Sequence, residues 1–148
     1  MTPEQRQLVA DTWKQIAPMA DMAAGLFYSR LFEIDPSTRK LFRATEMVAQ
    51  RKKLVQMLSF AINGLDRLDV LTSQVEDLGR RHAGYGVTDA HYESVGAALL
   101  WTLEQGLGRA WTPAAAAAWT EVYGMLSGIM RNAAAGADVA SAKRVAVG

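Results

Sequence analysis

The chain has 148 residues, half of them apolar and 21% charged, with a formal net charge of +1 and no cysteine. That length buries a substantial core in a single domain, and the near-neutral balance gives no electrostatic footprint for nucleic acid or an anionic membrane as partner. Without cysteine, disulfides, zinc–thiolate sites, iron–sulfur clusters and thiol catalysis are excluded.

The Met1-Thr2-Pro3-Glu4-Gln5 start lacks the basic stretch and apolar run of a secretory signal. No stretch reaches the roughly eighteen apolar residues of a membrane span, so the expected location is the cytoplasm. Thr2 before Pro3 predicts an N-cap and first helical residue, and Gln5 completes a capping box. Leu8, Val9, Thr12, Trp13 and Ile16 form one stripe, stopped at Pro18. A second helix is expected over 20–34, with Ala24, Phe27, Tyr28 and Leu31 on one side. Asp35-Pro36 ends it, because the residue before proline is pushed out of helical geometry. Ser37 to Phe42 predicts a short helical turn that brings Leu41 and Phe42 inward.

The third helix is expected over 46–63, where Met47, Leu54, Met57, Leu58, Ala61 and Leu65 repeat at helical spacing. Gln50 falls inside that apolar sector, and Arg51 at its edge has a stem long enough to snorkel out. Asn63-Gly64 and the leucine-dotted acidic segment to Val70 read as a connection, followed by a short helix over 73–83. After Gly84 and Gly86, Thr88 caps a long helix to about residue 107, with Tyr92, Val95, Gly96, Leu99 and Leu103 inward and Gly108 closing it. Thr112-Pro113 opens the last helix, with Trp119, Val122, Tyr123, Leu126 and Met130 on one face. From Ala134 onward small residues dominate, which predicts a packed domain over 1–134 and a flexible tail over 135–148. No alternating strand pattern occurs. The expected class is all-α, about seven helices of unequal length in a compact orthogonal fold.

His82, one of only two histidines, shares a helical face with Val75 and Leu78. Two readings stand: a core histidine bonded to a carbonyl, or a metal ligand. A free transition ion needs three or four protein ligands, and no second His, Asp or Glu accompanies His82 on its face. Haem is the exception, because the porphyrin supplies four ligands and the protein needs to give one axial imidazole. The apolar third helix, interrupted by the amide of Gln50, offers a wall for such a slot.

The segments Leu31-Phe32-Glu33-Ile34-Asp35-Pro36, Leu41-Phe42, Leu78-Gly79-Arg80-Arg81-His82, His91-Tyr92-Glu93-Ser94-Val95-Gly96 and Ala118-Trp119-Thr120-Glu121-Val122-Tyr123-Gly124 together resemble the globins. The likeness runs over about residues 2–132 and is nearest to neuroglobin-like globins and bacterial single-domain globins of the flavohaemoglobin type. It implies a globin-like fold around a haem b pocket. His82 matches the proximal iron ligand, Phe42 the phenylalanine on the porphyrin face, and Gln50 and Leu54 the distal polar and aliphatic positions. Tyr28 matches the distal tyrosine of flavohaemoglobin-type globins, and Val87 the apolar contact after the proximal helix. Met57 and Leu99 are expected among the cofactor's apolar neighbours. Tyr92 matches the tyrosine near the proximal histidine, but its usual glutamate partner is missing where the chain reads Asn132-Ala133-Ala134-Ala135-Gly136. His82 is therefore expected to be an ordinary neutral imidazole that donates to a backbone carbonyl near Leu78.

Such a pocket implies reversible binding of O2, CO and NO at a five-coordinate ferrous haem. Tyr28 and Gln50 would act as hydrogen-bond donors that raise O2 affinity. The competing placement has the Tyr28 hydroxyl on a backbone carbonyl and Gln50 in solvent. The flavohaemoglobin likeness implies NO dioxygenase activity with a separate electron-donating reductase. An O2 carrier, store or gas sensor is the non-enzymatic alternative, and a haem-free helical interaction module the remote one. Lys53 has two readings, a stem along the haem edge with its ammonium near a propionate, or one member of a solvated Arg51-Lys52-Lys53 run. With no histidine on the distal helix, closure by a second imidazole is not available, and His91 reads as a surface or capping residue. The expected assembly is a monomer or weak homodimer.

Overall fold

A computed structural model describes residues 1–147, with side chains as far as Gly136. Among the described residues six α-helices make the fold: α1 (Pro3–Ile16), α2 (Ala20–Ile34), α3 (Met47–Asn63), α4 (Leu68–Gly84), α5 (Asp89–Leu107) and α6 (Pro113–Val147). Short 3-10 segments at Ala17–Met19, Pro36–Phe42 and Gly108–Ala110 link them. Among the described residues there is no strand, and no helix is long and apolar enough to cross a membrane.

Local chemistry sets most boundaries as expected. Thr2 and Gln5 form the reciprocal capping box, at 3.1 and 2.9 Å. Asp35 ends α2 and caps the following turn through the Ser37 amide, and Gly108 closes α5 at φ +53°. The exception is α4, which begins at Leu68, five residues before the expected start. Leu71 and Val75 are both 1% exposed and lie one turn apart, so the inward stripe that carries His82 starts a turn earlier. Asp69 in the first turn suits the positive end of the helix. The expected flexible segment 135–148 falls largely outside the residues whose side chains are described.

The core gathers Val9, Ile16, Leu31, Leu71, Leu103 and Trp119. Trp119 donates through Nε1 to the Thr12 hydroxyl at 2.9 Å, tying α6 to α1. Helix α4 lies on α6 at very close range: a Cβ added to Gly79 would sit 2.4 Å from the Met130 carbonyl oxygen. Helix α3 packs instead on α2 and α1. The helix that carries Gln50 and the helix that carries His82 thus rest on different immediate neighbours.

Candidate functional site

Two clusters, one on each side of that division, hold the residues singled out in the sequence. The first is aromatic. Tyr28, 5% exposed in the middle of α2, has its ring edge-on to Phe27 at 5.0 Å and to Phe42 at 5.4 Å. Glu46 caps α3 by accepting from the Val48 and Ala49 amides, which fixes the first turn that presents Gln50. The Gln50 amide Nε2 donates to the Tyr28 phenol oxygen at 3.2 Å. Neither residue takes the alternative placement, phenol on a backbone carbonyl with the amide in solvent. Burial pushes the Tyr28 hydroxyl above its ordinary pKa, opposed by the Gln50 bond, so the phenol stays protonated. Because its oxygen accepts from Gln50, its O–H hydrogen remains for another acceptor.

The second cluster is built on the C-terminal end of α4. His82 Nδ1 lies 2.8 Å from the Leu78 carbonyl one turn back, the contact expected from the sequence. A carbonyl only accepts, so Nδ1 carries the proton and Nε2 keeps its lone pair. Burial lowers the imidazole pKa; the Leu78 bond opposes this and the Arg81 charge adds to it. The neutral form, the one that ligates metals, is favoured. Gly86 at φ +88° turns the chain so that the Val87 amide donates to the His82 carbonyl at 3.1 Å, holding Val87 beside the histidine.

The remaining positions divide. Leu54 and Leu99 line one small apolar cavity of about 20 Å³ with Trp13, Phe27, Leu58 and Leu103. Met57 is half-buried on α3 against the core. Lys53 is exposed and has no ion pair among the described residues, whereas Arg51 reaches Asp21 at 3.1 Å. Tyr92 is 6% exposed, and its buried hydroxyl meets no partner among the described residues. In the region where an acid was missing, Arg131 lays its guanidinium over the Tyr92 ring at 4.9 Å. The same guanidinium bonds to Glu93 and to the Asp89 carbonyl, both at 3.1 Å. Sequence reading missed this clamp; its one signal is an acid pair, Asp89 and Glu93, at i, i+4 on α5 and an arginine, Arg131, on α6. His91 completes a capping box at Thr88, with the Thr88 amide donating to Nδ1 at 3.0 Å.

The residues fit a haem on three observations. Among the described residues no group of three or more His, Cys, Asp or Glu converges, so a bare ion has no ligand set. His82 offers one oriented lone pair from a half-buried ring. Leu78 and Val87, apolar and flanking it, stay half-exposed and outside the core cluster, while Phe42, Leu54 and Met57 on the other elements are also only half-buried. A flat apolar group that takes one imidazole would suit such half-buried apolar side chains.

Comparisons with known proteins point to one family. The Globin family model matches residues 25–130. Neuroglobin of Chaenocephalus aceratus is 27% identical over 143 residues, covering 88% of this chain and 90% of that protein. Neuroglobin of Danio rerio is 26% identical over the same length and coverage. Among solved structures, a hexacoordinated heme protein from an anhydrobiotic tardigrade, at pH 4, superposes with a TM-score of 0.81 at 18% identity, covering 90% of this chain and 95% of that one.

Proposed function

This chain belongs to the globin family, and we propose that it holds haem b through His82 and binds O2, CO and NO on the side of Tyr28 and Gln50. The observation that carries the reading is the Nδ1 contact with Leu78 at 2.8 Å, which leaves the other ring nitrogen free and aimed away from its own helix. Haem, when bound, would supply a redox-active iron that both an imidazole and a diatomic gas can ligate. The protein supplies the imidazole, an apolar surround and two donors. The lack of cysteine removes covalent thioether attachment, which is consistent with the non-covalent haem b proposed.

The relatives include neuroglobins and a protein described as hexacoordinated. In this chain a second histidine ligand is not at hand. His91 is the only other histidine, and both its nitrogens are engaged, Nδ1 with the Thr88 amide and Nε2 with the Ser37 hydroxyl at 3.4 Å. The proposed resting state is therefore five-coordinate. Tyr28 and Gln50 then meet a polar gas ligand as a pair, Gln50 holding the phenol while the phenol directs its proton outward. Each such bond in a dry pocket contributes about 1–3 kcal/mol, which slows ligand escape by roughly ten- to a hundredfold. High O2 affinity follows.

Purified protein should be red with strong absorption near the porphyrin band, and His82→Ala should lose or radically alter that spectrum. An unchanged spectrum in the variant removes His82 from the axial position; a colourless wild-type protein removes the haem reading and leaves a helical interaction module. Prompt conversion of O2 and NO to nitrate on rapid mixing marks NO dioxygenase activity, with electrons from a separate reductase. Its absence marks an O2 carrier, store or sensor.

A further inference from the structure

Beside the aromatic cluster, the Pro36–Phe42 turn and the start of α3 frame an open cleft of about 540 Å³. That volume lies in the range of small-molecule sites. Its apolar lining is Phe32, Pro36, Phe42 and Met47, and its polar lining consists of three cations, Arg39, Lys40 and Arg43. The Arg39 guanidinium lies 5.0 Å from the Phe32 ring centroid, a cation–π contact that places it at the edge of the apolar lining. The acids close to it in sequence are already committed: Asp35 accepts from Ser37 and Ser94, Glu46 from the Val48 and Ala49 amides, and Glu33 faces Arg30. Among the described residues no ion pair reaches Arg39, Lys40 or Arg43. Three neighbouring cations without a counter-charge repel one another, and the apolar lining beside them is left wet.

We propose that this cleft binds a small amphipathic organic carboxylate. Its aliphatic or aromatic body lies against Phe32, Phe42 and Met47, and its head group is taken by Arg39 and Arg43, with Lys40 adding charge. Guanidinium forks match a planar carboxylate in two parallel bonds. A bare inorganic anion satisfies the charge and leaves the apolar lining wet; a neutral alcohol does the reverse. The inference does not depend on haem, although a haem propionate carries the same head group and is the competing source of a carboxylate here.

The test uses the full chain, reduced under carbon monoxide, with octanoate as probe and the Met47 methyl resonance, assigned with Met47→Leu, as reporter. Octanoate should shift that methyl in a saturable way. Octanol and inorganic phosphate at equal concentration should bind at least roughly tenfold more weakly, and Arg39→Gln with Arg43→Gln should weaken octanoate by roughly tenfold or more. Both arginines are exposed, so the variants keep the fold, checked by unchanged methyl positions in the core. Equal binding of octanol, or octanoate binding unchanged in the double variant, overturns the proposal. So does a double variant that speeds haem loss while octanoate leaves Met47 unmoved, because the arginines then serve the cofactor.

Discussion

Gly79→Ala should destabilise the protein even though alanine is the better helix former. The added Cβ would lie 2.4 Å from the Met130 carbonyl oxygen, 2.6 Å from its Cα and 2.8 Å from its carbonyl carbon. All three are backbone atoms of α6, so no side chain can rotate aside. Reaching an ordinary contact of 3.4 Å from 2.4 Å requires α4 and α6 to separate by about 1 Å at this crossing. Overpacking of this kind costs about 1–3 kcal/mol, and a rigid neighbour argues for the upper end. Replacing a mid-helix glycine by alanine returns about 1 kcal/mol. The net expectation is a loss of about 2 kcal/mol, or roughly 4–8 °C in Tm for a domain of this size. Gly128→Ala, also in a helix but with nothing within 4 Å of the new atom, is the matched control and should gain up to about 1 kcal/mol. Urea unfolding followed by circular dichroism measures both. If Gly79→Ala is as stable as wild type, the α4–α6 contact yields and the close-packing reasoning fails. His82 lies one turn beyond Gly79, so the same displacement reaches the imidazole.

Three further outcomes follow from single contacts. Thr12→Val leaves the Trp119 Nε1–H buried without its acceptor and should cost about 1–3 kcal/mol in urea unfolding; a loss below a few tenths would mean the indole finds another partner. Tyr28→Phe removes the outward phenol proton and should speed O2 release by roughly tenfold or more in stopped flow; an unchanged rate would take Tyr28 out of the gas pocket. The Asp35 carboxyl is held below the usual carboxylate range, chiefly by the Ser37 hydroxyl, with Ser94, the Ser37 amide and His91 adding to it. Its folded form favours the anion, so this stabilisation is present above the unfolded value of about 4 and fades as pH falls through the lower folded value. Asp35→Asn should therefore differ most from wild type at neutral pH, with the two stability curves converging in acid. Parallel curves down to low pH would count against it.

Features decided by neighbouring residues were legible in the chain. Thr2 with Gln5, Asp35-Pro36, Thr88 and Gly108 announce helix ends because capping is local chemistry. The His82–Leu78 contact was legible for the same reason, since a carbonyl one turn back is always within reach of a helical side chain. The start of α4 was not: its N-cap position is Arg67, which makes no side-chain cap, and the acidic residues around it resemble a loop. Pairings between distant segments were also out of reach. Gln50 and Tyr28 could be placed on inward faces by periodicity, but that they bond to each other depends on how α3 lies on α2. Arg131 over Tyr92 depends likewise on α6 against α5. Periodicity gives a side chain's direction from its own axis and says nothing about what waits there.

The Tyr28–Gln50 pair and His82 are held by different immediate neighbours. Tyr28, Phe42 and Gln50 come from one unbroken stretch of chain, α2 through α3, in which α2 packs chiefly on α5. His82 rests on α6. Substitutions at Tyr28 and Gln50 therefore act first on the packing of α2, α3 and α5, and those at His82 first on the α4–α6 contact. The two clusters can thus be altered one at a time, each variant read against the untouched other.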